Sequence, residues 1–323
     1  MLNFFTTSNP VVLIFSGIVA FLLAATTISR WLEVFSTGKD YTELNQRINS
    51  WWVMIAMFGF ALWAGVNASI IFFGLISFLA LKEYFSIIPT RKVDRRVLFW
   101  AYLSIPLQYY WASIGWYGMF IIFIPVYMLL FIPFRMVLMG ETKNFLRAAG
   151  SIHWGLMITV FSISHLAFLL VLPNSVSSET TSAISENSLA GPGLILFTVL
   201  LTQFNDVAQY LWGKSFGKRK IIPHISPNKT WEGFIGGVVT TATIAALLAP
   251  LLTPLSHSLG LVAGLIIGVA GFIGDVTISA LKRELGIKDT SALIPGHGGI
   301  LDRLDSLTFT APLFFHFVRY TAF

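Results

Sequence analysis

The sequence predicts an all-α fold: a polytopic integral membrane helical bundle of about ten transmembrane helices, with a polar cavity facing the cytoplasm. Three observations predict it. Of the 323 residues, 55% are hydrophobic and only 11% are charged, against about 25% charged in an average soluble protein. Apolar runs near the roughly 20 residues needed to span a bilayer recur along the chain. The lysines and arginines gather between those runs, with only Lys82 and Arg319 falling inside the ends of two of them. A soluble enzyme of this length would need far more polar surface, so that class and a disordered chain are excluded. There is no cysteine, which excludes disulfides and thiolate metal sites. The net charge of +6 admits a nucleic-acid reading, but in a membrane chain it reflects basic cytoplasmic loops, so no nucleic-acid partner is expected.

The candidate spans are 10–29, 51–66, 68–86, 97–112, 115–134, 151–172, 191–212, 233–250, 258–280 and 306–320. The chain must turn within a few residues near Gly65–Ala68, so the count carries a margin of one or two. The first run has no basic stretch before it, and Arg30 and Lys39 follow it, so it reads as a span and not as a cleaved signal. The basic residues lie in 30–50, 82–96, 135–150, 213–232 and 281–305, which together hold 20 of the 21; Arg319 is the exception. With ten spans these segments share one side. The positive-inside rule then sets both termini outward and the basic loops in the cytoplasm of a bacterial inner membrane protein. The Ser/Thr-rich stretch 173–190, with Glu179 and Glu186, reads as a solvated outer connection. Residues 1–190 form an N-terminal transmembrane region. Residues 191–323 form a C-terminal catalytic region with cytoplasmic loops 213–232 and 281–305.

Polar residues enter the hydrophobic runs only in that second region, and ionisable groups at membrane depth usually line a site. In the first cluster Asp206 interrupts an apolar run, and Tyr210 and Gly213 follow at helical spacing. Lys214, Lys218, Arg219 and Lys229 supply the positive charge a polyphosphate needs, and Ser226 and Thr230 add hydroxyls. Ser226 followed by Pro227 also reads as the cap and first turn of the next helix. Basic residues alone would mean only a positive-inside loop; the aspartate and the paired Gly213 and Gly217 point to an anion site.

The second cluster is denser. On a helix over 274–283, Asp275, Ser279 and Lys282 fall at i, i+4 and i+7, one stripe carrying a carboxylate, a hydroxyl and an ammonium. Asp302 and Asp305, at i and i+3, share a face at the start of the last span. Two carboxylates there and a third from the preceding span suit Mg²⁺, which takes a few carboxylates and substrate phosphates. The bland alternative for the pair is a charged helix start. Pro295-Gly-His-Gly-Gly299 must form a tight loop, with His297 either chemical or a turn residue. His153, His165, His257 and His316 read as structural, His224 is open either way, and the aromatic stretch 99–123 reads as lipid-facing or interfacial.

This second cluster resembles the phosphatidate cytidylyltransferase, or CDP-diacylglycerol synthase, family. Its Ser-x-apolar-Lys-Arg … Lys-Asp … His-Gly-Gly-apolar-x-Asp-Arg-apolar-Asp pattern is met by Ser279, Leu281, Lys282, Arg283, Lys288, Asp289, His297, Gly298, Gly299, Ile300, Asp302, Arg303, Leu304 and Asp305. Upstream, Asp206, Tyr210, Gly213 and Lys214, then Ser226, Pro227, Lys229, Thr230, Glu232 and Gly233, look like two further family motifs. The resemblance covers about residues 200–306. It implies transfer of CMP from CTP to phosphatidic acid, giving CDP-diacylglycerol and pyrophosphate. It implies Asp275, Lys282, Arg283, His297, Asp302 and Asp305 as catalytic residues. Asp206, Tyr210, Lys214, Lys218, Ser226 and Lys229 would bind substrate, and Asp275, Asp302 and Asp305 would hold Mg²⁺, with a second metal ion and a homodimer left open. A CTP-dependent lipid-alcohol kinase would share the nucleotide cradle. A transporter would require matching polar residues in the first half, where the sequence shows almost none.

Overall fold

The computed structural model describes residues 9–35, 40–89, 91, 95–175 and 190–323; Lys39, Lys92, Glu179 and Glu186 lie outside the described residues. Among these residues the fold is helical throughout, with only two isolated antiparallel bridges. Its helices are α1 (Pro10–Phe35), α2 (Thr42–Trp63), α3 (Val66–Ile87) and α4 (Arg95–Ser113). Next come α5 (Tyr117–Val137), α6 (Phe145–Pro173), α7 (Ala190–Phe216), α8 (Trp231–Leu252) and α9 (His257–Glu284). A single turn, Leu301–Leu304, then leads into α10 (Leu307–Ala322).

Each of the ten apolar runs lies in one of these helices, overrunning its ends by at most three residues. Seven of the helices, α1, α3 and α5 to α9, are long and apolar enough to cross a membrane. The expected ten becomes seven by that measure because α2 opens on a polar turn with Glu43 and Arg47, α4 opens on Arg95-Arg96, and α10 has only 16 residues. α5 and α6 each contain a stretch of wide turns, at Phe123–Met128 and Met157–Phe161. In α5 the stretch itself holds Pro125, whose missing N–H breaks the regular ladder.

α6 forms the centre, with 83% of its most apolar window buried, whereas α1 lies at the periphery with 11%. His165, on α6, is fully buried among Phe120, Phe161 and Phe315, and its Nδ1 meets the Phe161 carbonyl at 2.8 Å. That fits its structural reading. The aromatic stretch 99–123 divides: Phe99, Tyr110 and Trp116 are exposed, while Tyr109 and Phe120 are core residues.

The C-terminal helices pack through glycine. A methyl group at Gly264 would lie 2.5 Å from Ala242 Cα and Ala245 Cβ, and one at Gly268 would lie 3.1 Å from Val238 Cα. Together with Gly260 against Ala249, these contacts draw the α8 and α9 backbones together, as small residues do where lipid supplies no hydrophobic drive between helices. α7 approaches α8 the same way, with Gly233 close to Gly213.

Between α7 and α8 the chain forms a short hairpin closed by the Lys220–Thr230 bridge, Ile221 N donating to Lys229 O at 3.1 Å and Trp231 N to Arg219 O at 2.9 Å. Here the structure corrects the expected helix start. Thr230, not Ser226, caps α8, its Oγ1 accepting from Gly233 N at 3.2 Å. Ser226 sits in a tight turn and its carbonyl accepts from Lys229 N at 3.2 Å.

Candidate active site

The ends of six elements meet at one place: the N-terminal turns of α2, α8 and α10, and the C-terminal turns of α3, α7 and α9. Two groups of polar side chains form there.

The first group lies between α7, α9 and the start of α10. The predicted stripe on α9 is present, with Ser279 Oγ donating to Asp275 Oδ1 at 3.3 Å. Asp275 also pairs with Lys229, which stands over the Phe272 ring. Gly274 and Gly271 bring this face of α9 against Asp305 and Ser306. Ser306 Oγ donates to Asp206 Oδ1 at 3.0 Å, and Asp305 Oδ1 accepts from Ser306 N at 2.7 Å. Burial, and after it the charges of Asp275 and Asp206, push the Asp305 carboxyl well above the usual carboxylate range. Three carboxylates therefore share a region with Lys229 as their one ion-pair partner among the described residues. No three acidic, histidine or cysteine side chains among those residues form a ready-made metal cage.

The second group is built on the loop 285–300. Asp302 is 5% exposed. Its Oδ1 accepts from Lys282 Nζ at 2.8 Å, and its Oδ2 accepts from Thr290 N, Thr290 Oγ1 and Gly299 N at 2.8, 2.8 and 2.9 Å. Burial alone would raise its pKa, but Lys282 and the backbone N–H groups of Gly299 and Thr290 outweigh it and hold the carboxyl below its usual value. Asp302 and Asp305 thus turn to different partners, although the backbone stays helical through Asp305.

The expected tight loop is present. Ile294 N donates to Gly298 O at 2.8 Å and His297 N to Ile294 O at 2.9 Å, while Gly296 and Gly298 take φ of +73° and +78°, a region open to glycine. His297 lies edge-on to Trp51 with ring centroids 6.0 Å apart. Burial first, then the nearby Arg303 and Arg47, draw its pKa below the ordinary imidazole value. Ser50 Oγ donates to the Pro295 carbonyl at 2.7 Å.

The remaining predicted residues lie at the rim. Arg283 reaches across to the hairpin, its Nε donating to Ile225 O at 3.1 Å. Lys218 is exposed, and its backbone N–H, with that of Arg219, is held by Glu232 Oε2 at 3.0 and 3.2 Å. Tyr210 is exposed with the Lys214 ammonium 5.7 Å from its ring centre, and Ser226 is half-buried in its turn.

Sequence reasoning missed the first half's contribution. Glu83, in the last turns of α3, is 7% exposed. It accepts hydrogen bonds from Ser291 Oγ and Ile300 N, both at 2.9 Å, from Leu301 N at 3.1 Å, and from Thr290 Oγ1, whose single proton is shared between Glu83 and Asp302. The available signal was its place: the macrodipole disfavours a carboxylate at a helix C-terminus, so one persisting there implies a partner.

Comparison with known proteins gives the family. The model of the cytidylyltransferase family matches residues 45–321, which takes in α2 and Glu83 as well as both polar groups. Protein YnbB of Escherichia coli K12, described as uncharacterized, is 43% identical over 304 residues, 94% of this chain and 97% of its own. The phosphatidate cytidylyltransferase of Pseudomonas aeruginosa is 51% identical over 127 residues, 38% of this chain and 46% of that enzyme. That of Haemophilus influenzae is 43% identical over 129 residues, 38% and 45% of the two chains. The match to each of these two enzymes thus spans somewhat under half their length. By a family match that runs from α2 to α10, the chain belongs to the cytidylyltransferase family and is a nucleotidyltransferase.

Proposed function

We propose that this nucleotidyltransferase is a phosphatidate cytidylyltransferase acting in phospholipid biosynthesis. A phosphate oxygen of phosphatidic acid attacks the α-phosphorus of CTP, the new P–O bond forms, the bond to the β-phosphate oxygen breaks, and pyrophosphate leaves. The observation that carries the reading is the meeting of two charge-dense groups, around Asp275 and around Lys282–Asp302, at one end of a membrane bundle. Both reactants are anions, so catalysis of such a transfer rests on positioning and on neutralising charge. Lys229 and Lys282 are placed among the aspartates to meet phosphate oxygens, and the exposed Lys214, Lys218 and Arg219 form a basic rim for the triphosphate. Phosphatidate is already ionised at neutral pH, so no general base is required, and His297 serves the loop.

Asp206, Asp275 and Asp305 fit Mg²⁺ by their chemistry: hard oxygen donors that repel one another and have one lysine between them. Mg²⁺ needs only one or two carboxylates when substrate phosphates and waters complete its shell. Asp275 and Asp305 would hold it, with Asp206 beside them, whereas Asp302 is committed to Lys282, Thr290 and Gly299. When bound, the ion would offset charge on the attacking and leaving phosphates. The basic segments support a site facing the cytoplasm, where CTP is dissolved and the lipid phosphate lies at the interface.

The test uses purified protein, phosphatidate in detergent micelles, Mg²⁺ and CTP labelled at the α-phosphate. Label should pass into the lipid with one pyrophosphate released per transfer, and Asp275→Asn should lower turnover about 100-fold or more. Label recovered as CDP would instead mark a lipid-alcohol kinase, and label left in CTP would overturn the reading.

A further inference from the structure

We infer that Glu83 is a positioning residue of the transferase site: it holds the loop 290–301 so that Asp302 and Lys282 stand where the reaction needs them. This rests on the proposed reaction and adds to it a residue from the N-terminal half.

The four donors to Glu83 come from both ends of the loop. Thr290 and Ser291 open it, and the backbone N–H groups of Ile300 and Leu301 close it. A buried carboxylate is costly unless its oxygens are paired, and these four bonds pair both of them. The same hydroxyl, Thr290 Oγ1, contacts both Glu83 and Asp302, and Asp302 in turn takes the Lys282 ammonium. From Glu83 to the Lys282 charge is therefore a chain of three contacts, all through buried or half-buried side chains. The loop is shaped around this carboxylate. A methyl group at Gly299 would fall on Glu83 Oε1 and on Thr290 Oγ1, so the Glu83–Thr290 contact leaves room only for glycine at 299. Nothing in the bonding of Glu83 requires it to touch substrate; it acts through Asp302 and Lys282.

Glutamine at this position cannot replace it. Its amide nitrogen is a donor, and it would face the Ile300 or Leu301 N–H, which are donors too. The experiment compares the wild-type protein with Glu83→Gln. Because the chain has no cysteine, a Leu293→Cys substitution, at an exposed position of the loop, carries a single nitroxide label in both backgrounds. Misplacement of a catalytic group by about 1 Å costs on the order of 100-fold. We expect Glu83→Gln to lose about that factor in kcat while the KM for CTP stays within about threefold, the split expected when substrate binding survives. The label should be immobile in the wild-type loop and mobile in the variant. If Glu83→Gln does not fold in detergent, Ser291→Ala removes one of the four donors and is read on the same label, with a smaller gain in mobility expected. An unchanged kcat in Glu83→Gln, or a label that stays immobile in it or in Ser291→Ala, overturns the inference. A wild-type protein that labels no lipid overturns the proposed reaction alone, and loop mobility in the variants then decides the role of Glu83.

Discussion

A side chain at Gly298 would approach Asp302 Oδ2 to 2.8 Å, just as one at Gly299 would strike Glu83. The paired glycines thus mark where two carboxylates press against one turn, and each glycine answers to a different acid. His297, directly before them, adds a pH dependence whose sign follows from its surroundings. Its pKa lies below the ordinary 6.5 in the folded loop, so the unfolded loop binds more protons. Stability from the neutral imidazole is then full above about pH 6.5 and is lost as pH falls toward the lowered folded value. The mobility of the Leu293→Cys label should accordingly rise between pH 7 and pH 5, and His297→Gln should flatten that rise; an unaltered curve would remove His297 from the account. At this scale the sequence was legible where chemistry repeats at helical spacing, as in Asp275, Ser279 and Lys282. Glu83 was not legible, because beside Lys82 at the head of a basic segment it resembles one more loop charge. Its place at a helix C-terminus was the one signal against that, and its burial and partners bear the signal out.

α8 and α9 are held by close backbone approach, so their contact has little room to adapt. Gly264→Val places bulk against Ala242 Cα and Ala245 Cβ, and overpacking of this kind costs about 1–3 kcal/mol. Thermal unfolding in detergent should show a clearly lower midpoint for Gly264→Val. Gly17→Val on α1, where nothing lies within 4 Å, should leave the midpoint unchanged and serves as the control. The helices themselves were readable from hydropathy, and every apolar run lies in one, overrunning its ends by at most three residues. Their starts were less so. Ser226-Pro227 carries the residue types of a cap and first turn, yet the backbone there turns tightly and pairs Lys220 with Thr230 before α8 begins. Tertiary pairing of the hairpin, to which local composition is blind, moved the start by several residues.

For the whole molecule, the N-terminal transmembrane region does more than span: its side chains reach the loop of the C-terminal region. Ser50, Trp51 and Glu83 reach the loop from α2 and α3. Sidedness is directly testable in this cysteine-free chain. With the basic loops inside, an impermeant maleimide added to intact spheroplasts should label Ser258→Cys, at the α8–α9 connection, and spare Leu293→Cys until the membrane is opened; the reverse pattern would invert the topology. The reach of Glu83 also has a consequence for synthesis. Its partners follow 207 to 218 positions later in the chain, roughly 10–40 s at ordinary translation rates. Through that interval the growing polypeptide carries an acid at the end of α3 with nothing yet made to receive it. A ribosome that stops early therefore releases a product whose Glu83 lacks the four partners that the finished chain supplies.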